Sequence, residues 1–317
     1  MRVLVTGAAG FIGSHVTRAL LADGHEVIGL DDLSTGHARN LPTASRWAFL
    51  HGDIRDPATC AEAMRGAQAV VHLAGRNSVP RSLVDPRSAM EVNVMGGFNL
   101  LEAARAVEVG RFVYASSSSV YGDDPALPKV ETQLRRPLSP YAASKASFEH
   151  FARAWTAAWG VHTVGLRFFN VFGPRQDPGG AYAAVVPRFA EAALNRECPV
   201  IHGDGSFSRD FTYVDNVVHA VRLSLNAPAE AAGSVLNIAC GGRVSVLELW
   251  RAIACEAGFD ADPQFGPERT GDMPHSHADI GAARRLLGFE PVVAFDEGIR
   301  RTVAWFRDER QEVAIAG

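Results

Sequence analysis

The stretch Val3-Leu4-Val5-Thr6-Gly7-Ala8-Ala9-Gly10-Phe11-Ile12-Gly13 decides the fold of this chain. A short apolar run is followed at once by the pattern GxxGxxG, whose last glycine opens a helical pattern. Glycines at these places allow a tight turn, close approach of the backbone to a pyrophosphate, and close packing of helix on strand. Because a helix amino terminus also favours negative charge, the segment predicts a dinucleotide site. Its candidate binding residues are Gly7, Gly10, Phe11, Ile12 and Gly13.

An acidic residue ends the second predicted strand. Asp31 follows Gly13 by eighteen residues, where a carboxylate can accept hydrogen bonds from both ribose hydroxyls of an adenosine. The same charge would repel a 2′-phosphate, which favours NAD over NADP as the cofactor. Asp32 is the alternative for this role, and Arg39 weakens the argument against NADP.

Two further predicted strands end in residues that suit the same ligand. Asp53 and Ile54 follow the third strand, and Leu73, Ala74 and Gly75 follow the fourth. Ligands of open α/β sheets collect at the carboxyl ends of the strands. We therefore predict that Asp53 meets the adenine amino group and that the small residues let NAD lie against the backbone. A glycine that merely ends a strand is the alternative for Gly75.

Strand and helix patterns alternate through the first half of the chain. Apolar or β-branched runs predict strands at Val3–Thr6, Val27–Leu30, Trp47–Leu50, Ala69–Leu73, Phe112–Ala115 and Thr163–Arg167. Helical patterns lie between them at Gly13–Ala22, Pro57–Met64, Ala89–Ala106 and Tyr141–Trp159. Six such units predict an α/β fold, a doubly wound parallel sheet of the Rossmann type with helices on both faces.

The pattern loosens after about Asn170. Helices are predicted near Tyr182–Leu194, Asp215–Leu225 and Ser245–Ala257, and from Asp279 to the residue before Gly288. We expect an NAD-binding domain over residues 1–170 and a smaller α/β substrate lobe over residues 171–317. Residues 212–221 or 235–238 could return to the first sheet, so a returning segment is expected at roughly 210–240.

Composition narrows the class of protein. The 317 residues are 47% hydrophobic and 21% charged, as in a folded globular protein. The net charge of −4 makes a nucleic-acid polymer or a membrane surface an unexpected partner. Neither a disulfide framework nor a metal site is predicted, and we expect a cytoplasmic protein, because the cysteines form no CxxC pair. They are Cys60, Cys198, Cys240 and Cys255.

A serine run and a tyrosine–lysine pair carry the predicted chemistry. Ser116-Ser117-Ser118-Ser119 follows the fifth strand, and Tyr141 and Lys145 lie one turn apart at the start of the next long helix. An ammonium on the same helix face can favour the phenolate and lower the pKa of Tyr141, as a base acting on a sugar hydroxyl requires. Taken alone, such a pair is typical of an exposed helix. Together with the glycine motif and Asp31, it favours a catalytic site.

These motifs resemble the extended short-chain dehydrogenases/reductases. The resemblance covers GxxGxxG, Asp31, the serine run before Val120-Tyr121-Gly122, and YxxxK, and it runs from Val3 to about Phe306. Several segments are similar more narrowly to nucleotide-sugar 4-epimerases, most of all to those acting on UDP-N-acetylhexosamines. They are Ser78–Pro86, Ala126–Glu131, Leu138–Lys145, Asn170–Pro178, Gly180–Phe189 and Gly203–Asn216.

The resemblance implies a reaction and its catalytic residues. Tyr141 is the implied base, Lys145 its electrostatic partner and ribose anchor, and Ser117 the catalytic serine. Dehydratases of the family have Asp-Glu where Ser118 and Ser119 stand, and decarboxylases have a Glu; without an acid, elimination has no proton donor. What is implied is NAD-dependent 4-epimerisation of a UDP-hexose through a 4-keto intermediate, with UDP-N-acetylglucosamine and UDP-N-acetylgalactosamine ahead of UDP-glucose and UDP-galactose.

The same resemblance implies how a UDP-sugar is held. Arg209 and Arg269 correspond to the two arginines that bind the pyrophosphate, for which a guanidinium is suited. Ser276 stands where the family has a bulky aromatic residue when only non-acetylated sugars are accepted, so it leaves room for an acetyl group. Arg76-Asn77 departs from the small residues expected beside SVPRS in the N-acetylhexosamine subgroup, which leaves the sugar preference open. The remaining candidate substrate-binding residues are Asn77, Ser117, Ser118, Ser119, Asn170, Ala183, Val186, Gly203 and Asp272.

Two rival functions remain open. A UDP-glucuronate 4-epimerase or decarboxylase would act on a related sugar nucleotide, and a non-catalytic NAD-binding sensor would need neither Tyr141 nor Lys145. The helices at residues 89–106 and 141–159 resemble the pair through which the family forms a dimeric four-helix bundle, so a homodimer is expected. The alternative is that both helices pack only on their own sheet.

Overall fold

The centre of the fold is a parallel sheet of seven strands. The computed structural model describes residues 1–179, 183–268 and 273–316. In these residues the strands are β1 (Arg2–Thr6), β2 (Glu26–Asp31), β3 (Trp47–His51), β4 (Ala69–His72), β5 (Arg111–Ser117), β6 (Thr163–Phe168), β7 (Val171–Phe172), β8 (Val200–His202), β9 (Ser208–Arg209), β10 (Thr212–Tyr213), β11 (Ser234–Ile238), β12 (Val244–Ser245) and β13 (Gln264–Gly266). The large sheet has the order β11-β6-β5-β4-β1-β2-β3.

Helices cover both faces of this sheet and build a lobe beside it. They are α1 (Phe11–Ala22), α2 (Pro57–Ala63), α3 (Val79–Val84), α4 (Pro86–Met90), α5 (Gly97–Ala106), α6 (Pro140–Trp159), α7 (Val185–Leu194), α8 (Val214–Leu225), α9 (Val246–Ala257), α10 (Gly281–Leu287) and α11 (Phe295–Ala316). A π-helical turn joins α4 to α5 at Glu91–Gly96, and a 3₁₀ turn follows β5 at Ser118–Tyr121. None of the helices in the described residues is long and apolar enough to cross a membrane.

The six predicted strands are confirmed, each to within two residues at either end. The seventh, β11, pairs in parallel with β6 from Ser234 opposite Val164 to Ile238 opposite Phe168. Of the two segments that could return to the sheet, residues 235–238 therefore return as a strand. Residues 212–221 do not, because Thr212–Tyr213 pairs with Val171–Phe172 in a separate two-stranded sheet and α8 follows directly.

Two predicted helices differ from the structure. The single regular helix predicted for Ala89–Ala106 is wrong in its first half, where the chain passes from α4 through the π-helical turn. This turn carries Asn93, whose side chain contacts Arg76 and Ser144. The helix predicted from Tyr182 begins at Val185 in the described residues, and Tyr182 itself lies outside them.

Three apolar clusters hold the layers together. α1 and α8 pack on one face of the large sheet, together with α10, and α2, α5 and α6 pack on the other. The third cluster joins α7, α9 and α11 and belongs to the second lobe. The sheet thus separates two helical layers, and its carboxyl edge faces the second lobe.

The turn after β1 depends on glycine. Gly7 has a φ of 72°, and a Cβ there would lie 2.7 Å from the backbone nitrogen of Ala74. At Gly13 a Cβ would lie 1.9 Å from the carbonyl oxygen of Gly7, so α1 approaches the turn more closely than any side chain allows. Both positions have the tight geometry that the glycine motif predicts.

Candidate active site

A narrow cleft lies at the carboxyl edge of the large sheet. It encloses a cavity of about 70 Å³ between the loops that follow β1, β2, β3 and β4. Phe11 and Ile12 do not line this cleft, because both side chains pack against the apolar cluster of the second lobe. Eight of the predicted cofactor-binding residues do line it: Gly7, Gly10, Asp31, Asp53, Ile54, Leu73, Ala74 and Gly75.

The cleft suits an anionic dinucleotide. Gly10 caps α1 with extended backbone, no side chain caps the helix, and no acidic residue stands in its first turn. The first N–H groups of α1 are therefore without a side-chain acceptor, which is the arrangement that binds a pyrophosphate. Small residues keep the walls close to the backbone, since a Cβ on Gly7 would meet Ala74. These features fit NAD.

Asp31 is buried, and backbone N–H groups fill part of the hydrogen-bonding capacity of its carboxylate. Its two carboxylate oxygens accept hydrogen bonds from the N–H groups of Ala9, at 2.9 Å, and Leu33, at 2.8 Å. Burial raises the pKa of Asp31, and these two hydrogen bonds oppose the rise. A carboxylate has four lone-pair positions, so acceptor sites remain for the hydroxyls of a ribose.

Asp53 is held by a neighbouring arginine. Its carboxylate accepts hydrogen bonds from the backbone and the guanidinium of Arg55, the shortest at 2.5 Å. The hydrogen bond from Arg55 lowers the pKa of Asp53, against a smaller effect of burial. Its contact with an adenine amino group stays a prediction.

The predicted catalytic side chains meet where β5 and α6 approach. Tyr141 and Lys145 are buried on α6, and Ser117 at the end of β5 lies close enough to the phenol of Tyr141 to lower its pKa. Ser117 Oγ accepts hydrogen bonds from the N–H and the hydroxyl of Ser119, at 3.2 and 2.9 Å. With its acceptor positions filled, Ser117 has its own O–H left to donate to Tyr141.

Lys145 lies against the floor of the cleft. Its Nζ donates to the carbonyl oxygen of Ala115 at 3.0 Å, and a Cβ placed on Gly75 would come within 3.5 Å of it. Gly75 lines the cleft, so the ammonium borders the space assigned to the dinucleotide. Burial lowers the pKa of Lys145 to about 8, against the attraction of Glu149.

The predicted direction of the pKa of Tyr141 is wrong in this structure. Burial raises its pKa, and the Ser117 hydrogen bond opposes that effect. The i, i+4 spacing on α6 favours a charge effect between the two side chains, but the ammonium of Lys145 donates to Ala115 instead. Desolvation of the phenol outweighs what spacing on an isolated helix predicts.

A buried ion pair fixes α6 to the sheet. Arg167 on β6 and Glu149 on α6 are 1% and 2% exposed, and the guanidinium forms a two-point fork on the carboxylate at 2.8 and 2.7 Å. Burial lowers the pKa of Arg167, but the hydrogen bonds that it donates to Glu149, the charge of that carboxylate and the contact with Tyr121 together outweigh burial and raise the pKa above its usual value. Ser116 donates to the same carboxylate at 2.6 Å, which binds the residue before Ser117 to α6.

A larger cavity of about 520 Å³ opens in the second lobe. Three predicted substrate residues, Asn170, Ala183 and Arg209, line it. The guanidinium of Arg209 donates to the carbonyl oxygens of Ser208 and Pro274 at 2.9 and 3.0 Å. Ala183 also lines a third cavity of about 670 Å³ beside the cleft, so the two larger cavities adjoin.

Other predicted substrate residues lie apart from the 520 Å³ cavity. The side chain of Val186 is buried in the core of the second lobe. Ser276 donates its backbone N–H to Ser208 at 2.9 Å, beside β9. Gly203 has a φ of 78°, and Asn77 lines the cleft and the 670 Å³ cavity. Ser118 begins the 3₁₀ turn after Ser117, and Arg269 and Asp272 lie outside the described residues.

A buried carboxylate organises the loops of the second lobe. Asp210 accepts hydrogen bonds from the N–H groups of Cys240, Gly241 and Ala278. Burial raises its pKa to about 6, against these three donors. Over the described ranges, no group of three or more His, Cys, Asp or Glu side chains could hold a metal ion.

Several residues of the site were not predicted from the sequence. Asn93 accepts the N–H of Arg76 and donates to Ser144, and Ser82 accepts the N–H of Tyr141 at 3.1 Å. Glu149 is also part of the site, and its position could have been predicted from the sequence. It follows Lys145 by four residues, as Lys145 follows Tyr141, so all three lie on one helix face.

The chain is similar to known proteins over almost its whole length. Residues 3–239 match the NAD dependent epimerase/dehydratase family. A UDP-glucose 4-epimerase of Mycolicibacterium smegmatis is 44% identical over 316 residues, which are 98% of this chain and 100% of that protein. A UDP-N-acetylglucosamine 4-epimerase of Methanobrevibacter ruminantium, solved with UDP-N-acetylmuramic acid, has a TM-score of 0.92 at 38% identity and covers 97% of this chain and 98% of its own. A UDP-glucose 4-epimerase of Thermus thermophilus, solved with NAD, has a TM-score of 0.88 at 40% identity, over 97% and 99% of the two chains.

The lowered pKa of Lys145 predicts a pH-dependent stability. Between about pH 8 and the ordinary value of 10.5, the unfolded chain binds a proton that the folded protein does not, so the free energy of unfolding rises with pH in this window. Lys145→Met removes the titration. At pH 7 the variant should be more stable than the native protein by up to about 3 kcal/mol, and this advantage should shrink towards pH 10.5. Denaturant unfolding of both proteins at matched NAD content measures it, and a constant difference across the window contradicts it.

Removing the charge of Glu149 should strongly destabilise the protein. In Glu149→Gln the buried Arg167 keeps its charge without a carboxylate, and the expected loss is about 3–5 kcal/mol of unfolding free energy. The control is Glu290→Gln, which breaks an Arg284–Glu290 fork whose carboxylate is 62% exposed, and which should cost less than about 1 kcal/mol. Equal losses in the two variants would contradict the role given to the buried pair.

Proposed function

The chain belongs to the NAD-dependent epimerase/dehydratase family of extended short-chain dehydrogenases/reductases, and from this premise we propose that it interconverts the C4 epimers of a UDP-hexose. UDP-N-acetylglucosamine and UDP-N-acetylgalactosamine are the proposed principal pair, and UDP-glucose and UDP-galactose the second. The observation that carries the proposal is the placement of Ser117, Tyr141 and Lys145. Ser117 lies beside the buried phenol of Tyr141, and the buried Lys145 lies one turn further along α6 at the wall of the cleft.

Tyr141 is the proposed base for the C4 hydroxyl. Ser117 is the proposed donor to its phenol oxygen; its effect is to lower the pKa of Tyr141, which stabilises the phenolate that forms when Tyr141 has lost its proton. The charged form of Lys145 predominates below about pH 8, and its ammonium lies beside Gly75 at the wall of the cleft. NAD, when bound, supplies reversible acceptance of a hydride, which is the chemistry that inversion at a carbinol carbon needs.

The turn after Ser117 supports epimerisation over elimination. Residues Ser118–Tyr121 contain no acidic side chain, and the hydroxyl of Ser119 already donates to Ser117. Loss of water from the sugar needs a proton donor beside the leaving hydroxyl, and this turn offers no carboxylic acid. A silent NAD-binding sensor is disfavoured because it would need neither the buried lysine nor the Ser117–Tyr141 contact.

The 520 Å³ cavity is the proposed site of the UDP moiety. Arg209 is the proposed pyrophosphate ligand there, together with Arg269, and Asn170 and Ala183 form part of the wall. Asp272, Gly203 and the backbone around Val186 stay proposals from the resemblance. Ser276 lies beside the strand that carries Arg209, which supports its proposed place next to the sugar.

We propose that the two parts of the chain bind different ligands, as the sequence predicts. Residues 1–170 bind NAD and residues 171–317 form the UDP-sugar lobe, except that β11 returns to the large sheet as a strand and α8 packs on its face. The four cysteines are free, which supports the proposed cytoplasmic location.

A product assay tests the reaction and the acetyl specificity. Proton NMR of mixtures with UDP-N-acetylglucosamine, UDP-glucose and UDP-glucuronate should detect a C4-inverted product, first of all from the N-acetylated sugar. Tyr141→Phe should lower kcat by about 10²–10⁴ without loss of bound NAD. Ser276→Tyr should lower turnover of the N-acetylated sugar at least about tenfold relative to UDP-glucose, whereas Ser276→Ala should not.

Two results would count against this assignment. If the NAD-loaded native protein inverts C4 of none of the three sugars, the proposed epimerase function is contradicted. Undiminished activity of Ser276→Tyr on UDP-N-acetylglucosamine would remove the role of Ser276 while leaving the reaction in place.

A homodimer through the helices at residues 89–106 and 141–159 is also proposed. Met95, Phe151 and Trp159 are 54%, 37% and 53% exposed on these helices. Sedimentation should give twice the chain mass of 34.0 kDa, and Met95→Glu with Phe151→Glu should give one chain mass. Val292→Glu, at an apolar side chain exposed elsewhere, is the control and should leave the mass unchanged. A native protein that sediments as a single chain contradicts the proposal.

A further inference from the structure

Arg76 reaches across the mouth of the dinucleotide cleft. It stands just after the β4 loop, and its guanidinium donates to Ser34 Oγ, on the loop after β2, at 2.9 Å. A second, longer contact of 3.3 Å joins its Nε to Ser88 Oγ. The side chain thus connects the two loops between which the cleft opens.

Two hydrogen bonds with the side chain of Asn93 hold the backbone of Arg76 in place. Its N–H donates to Asn93 Oδ1 at 2.7 Å, and its carbonyl oxygen accepts from Asn93 Nδ2 at 3.1 Å. Asn93 also donates to Ser144, one residue before Lys145. The base of the side chain is therefore anchored to the helix that carries the catalytic pair, while its tip contacts the opposite wall.

The contact between Arg76 and Ser34 forms the partition between two cavities. Both residues line the narrow cleft of about 70 Å³, whose floor is the glycine turn, and both line the open cavity of about 670 Å³ outside it. Thr35 and Asn77 also line both spaces, so this hydrogen bond lies at the boundary between the cleft and the outer cavity.

Two carboxylates act on the contact between Arg76 and Ser34. Ser34 donates its hydroxyl to Asp32 Oδ1 at 2.5 Å, so its oxygen is turned to accept from Arg76. The positive charge of Arg76 also acts on Asp53 across the cleft. A guanidinium that donates to a neutral hydroxyl, in line with a carboxylate, makes a charge-assisted contact that can open and close without a change of backbone.

We infer that Arg76 and Ser34 form a strap that retains the dinucleotide in its cleft. The inference rests on the cleft being the NAD site, as proposed above. The adenosine end lies behind the strap and leaves only when the hydrogen bond opens, so Arg76 sets the rate of NAD release. An enzyme whose cofactor returns to its starting oxidation state in every turnover needs no exchange of that cofactor, which suits a closed mouth.

The test measures how fast labelled NAD leaves the loaded protein in a chase with excess unlabelled NAD. Arg76→Gln should raise the dissociation rate about tenfold, the effect of losing one charge-assisted hydrogen bond. Ser34→Ala should raise it to a similar extent, and the double variant should release NAD no faster than the quicker single variant. Arg87→Gln is the matched control, because the side chain of Arg87 is 84% exposed and pairs with Glu91 away from the cleft; its rate should stay native.

The outcomes separate the strap from the proposed function. An unchanged or slower release from Arg76→Gln, in protein with the native unfolding midpoint, overturns the strap and leaves the epimerase assignment standing. Additive increases in the double variant also overturn it, since the two residues would then act separately. Native protein that binds no NAD at all would overturn the assignment of the cleft itself.

Discussion

Glu149 and Arg167 are both almost fully buried, and neither charge can be left without the other. Two ions taken out of water are tolerated only when their remaining hydrogen-bonding positions are filled. Here Ser116 donates to the carboxylate, and the guanidinium donates to the hydroxyl of Tyr121, which in turn donates to Asn237 on β11. One network therefore joins β5, β6, β11, α6 and the turn after the serine run. The relative position of the proposed base and its serine depends on it.

The electrostatics of the proposed active site are set by burial more than by sequence spacing. The pKa of Tyr141 is raised and that of Lys145 is lowered, each by desolvation first. Such shifts make the proton of Lys145 easier to remove than that of an exposed lysine, and the proton of Tyr141 harder to remove than that of an exposed tyrosine. A motif on a helix predicts which groups come together. The dielectric environment of these groups depends on how the helices pack on the whole sheet.

Patterns in the sequence predicted the local structure well where the cause is local. The first six strands follow from apolar runs, and the helix predicted at Ser245–Ala257 is present as α9, which begins with a capping box of Ser245 and Glu248. The return of β11 stayed one of two alternatives, because pairing with β6 is a contact across about seventy residues that leaves no local signal. The π-helical turn and the roles of Asn93, Ser82 and Arg76 depend on side chains brought from other elements, so no spacing predicts them.

Arginine supplies twenty-nine of the thirty-one basic side chains of this protein, and the two lysines, Lys129 and Lys145, are 5% and 8% exposed. An amine-selective reagent thus finds almost no accessible side-chain target on the folded surface. Modification at Lys145 requires the wall of the cleft to open, whereas the arginine-rich exterior stays unlabelled. The extent of labelling at Lys145, measured apart from that at Lys129 and at the α-amino group, therefore reports how often the catalytic helix separates from the sheet.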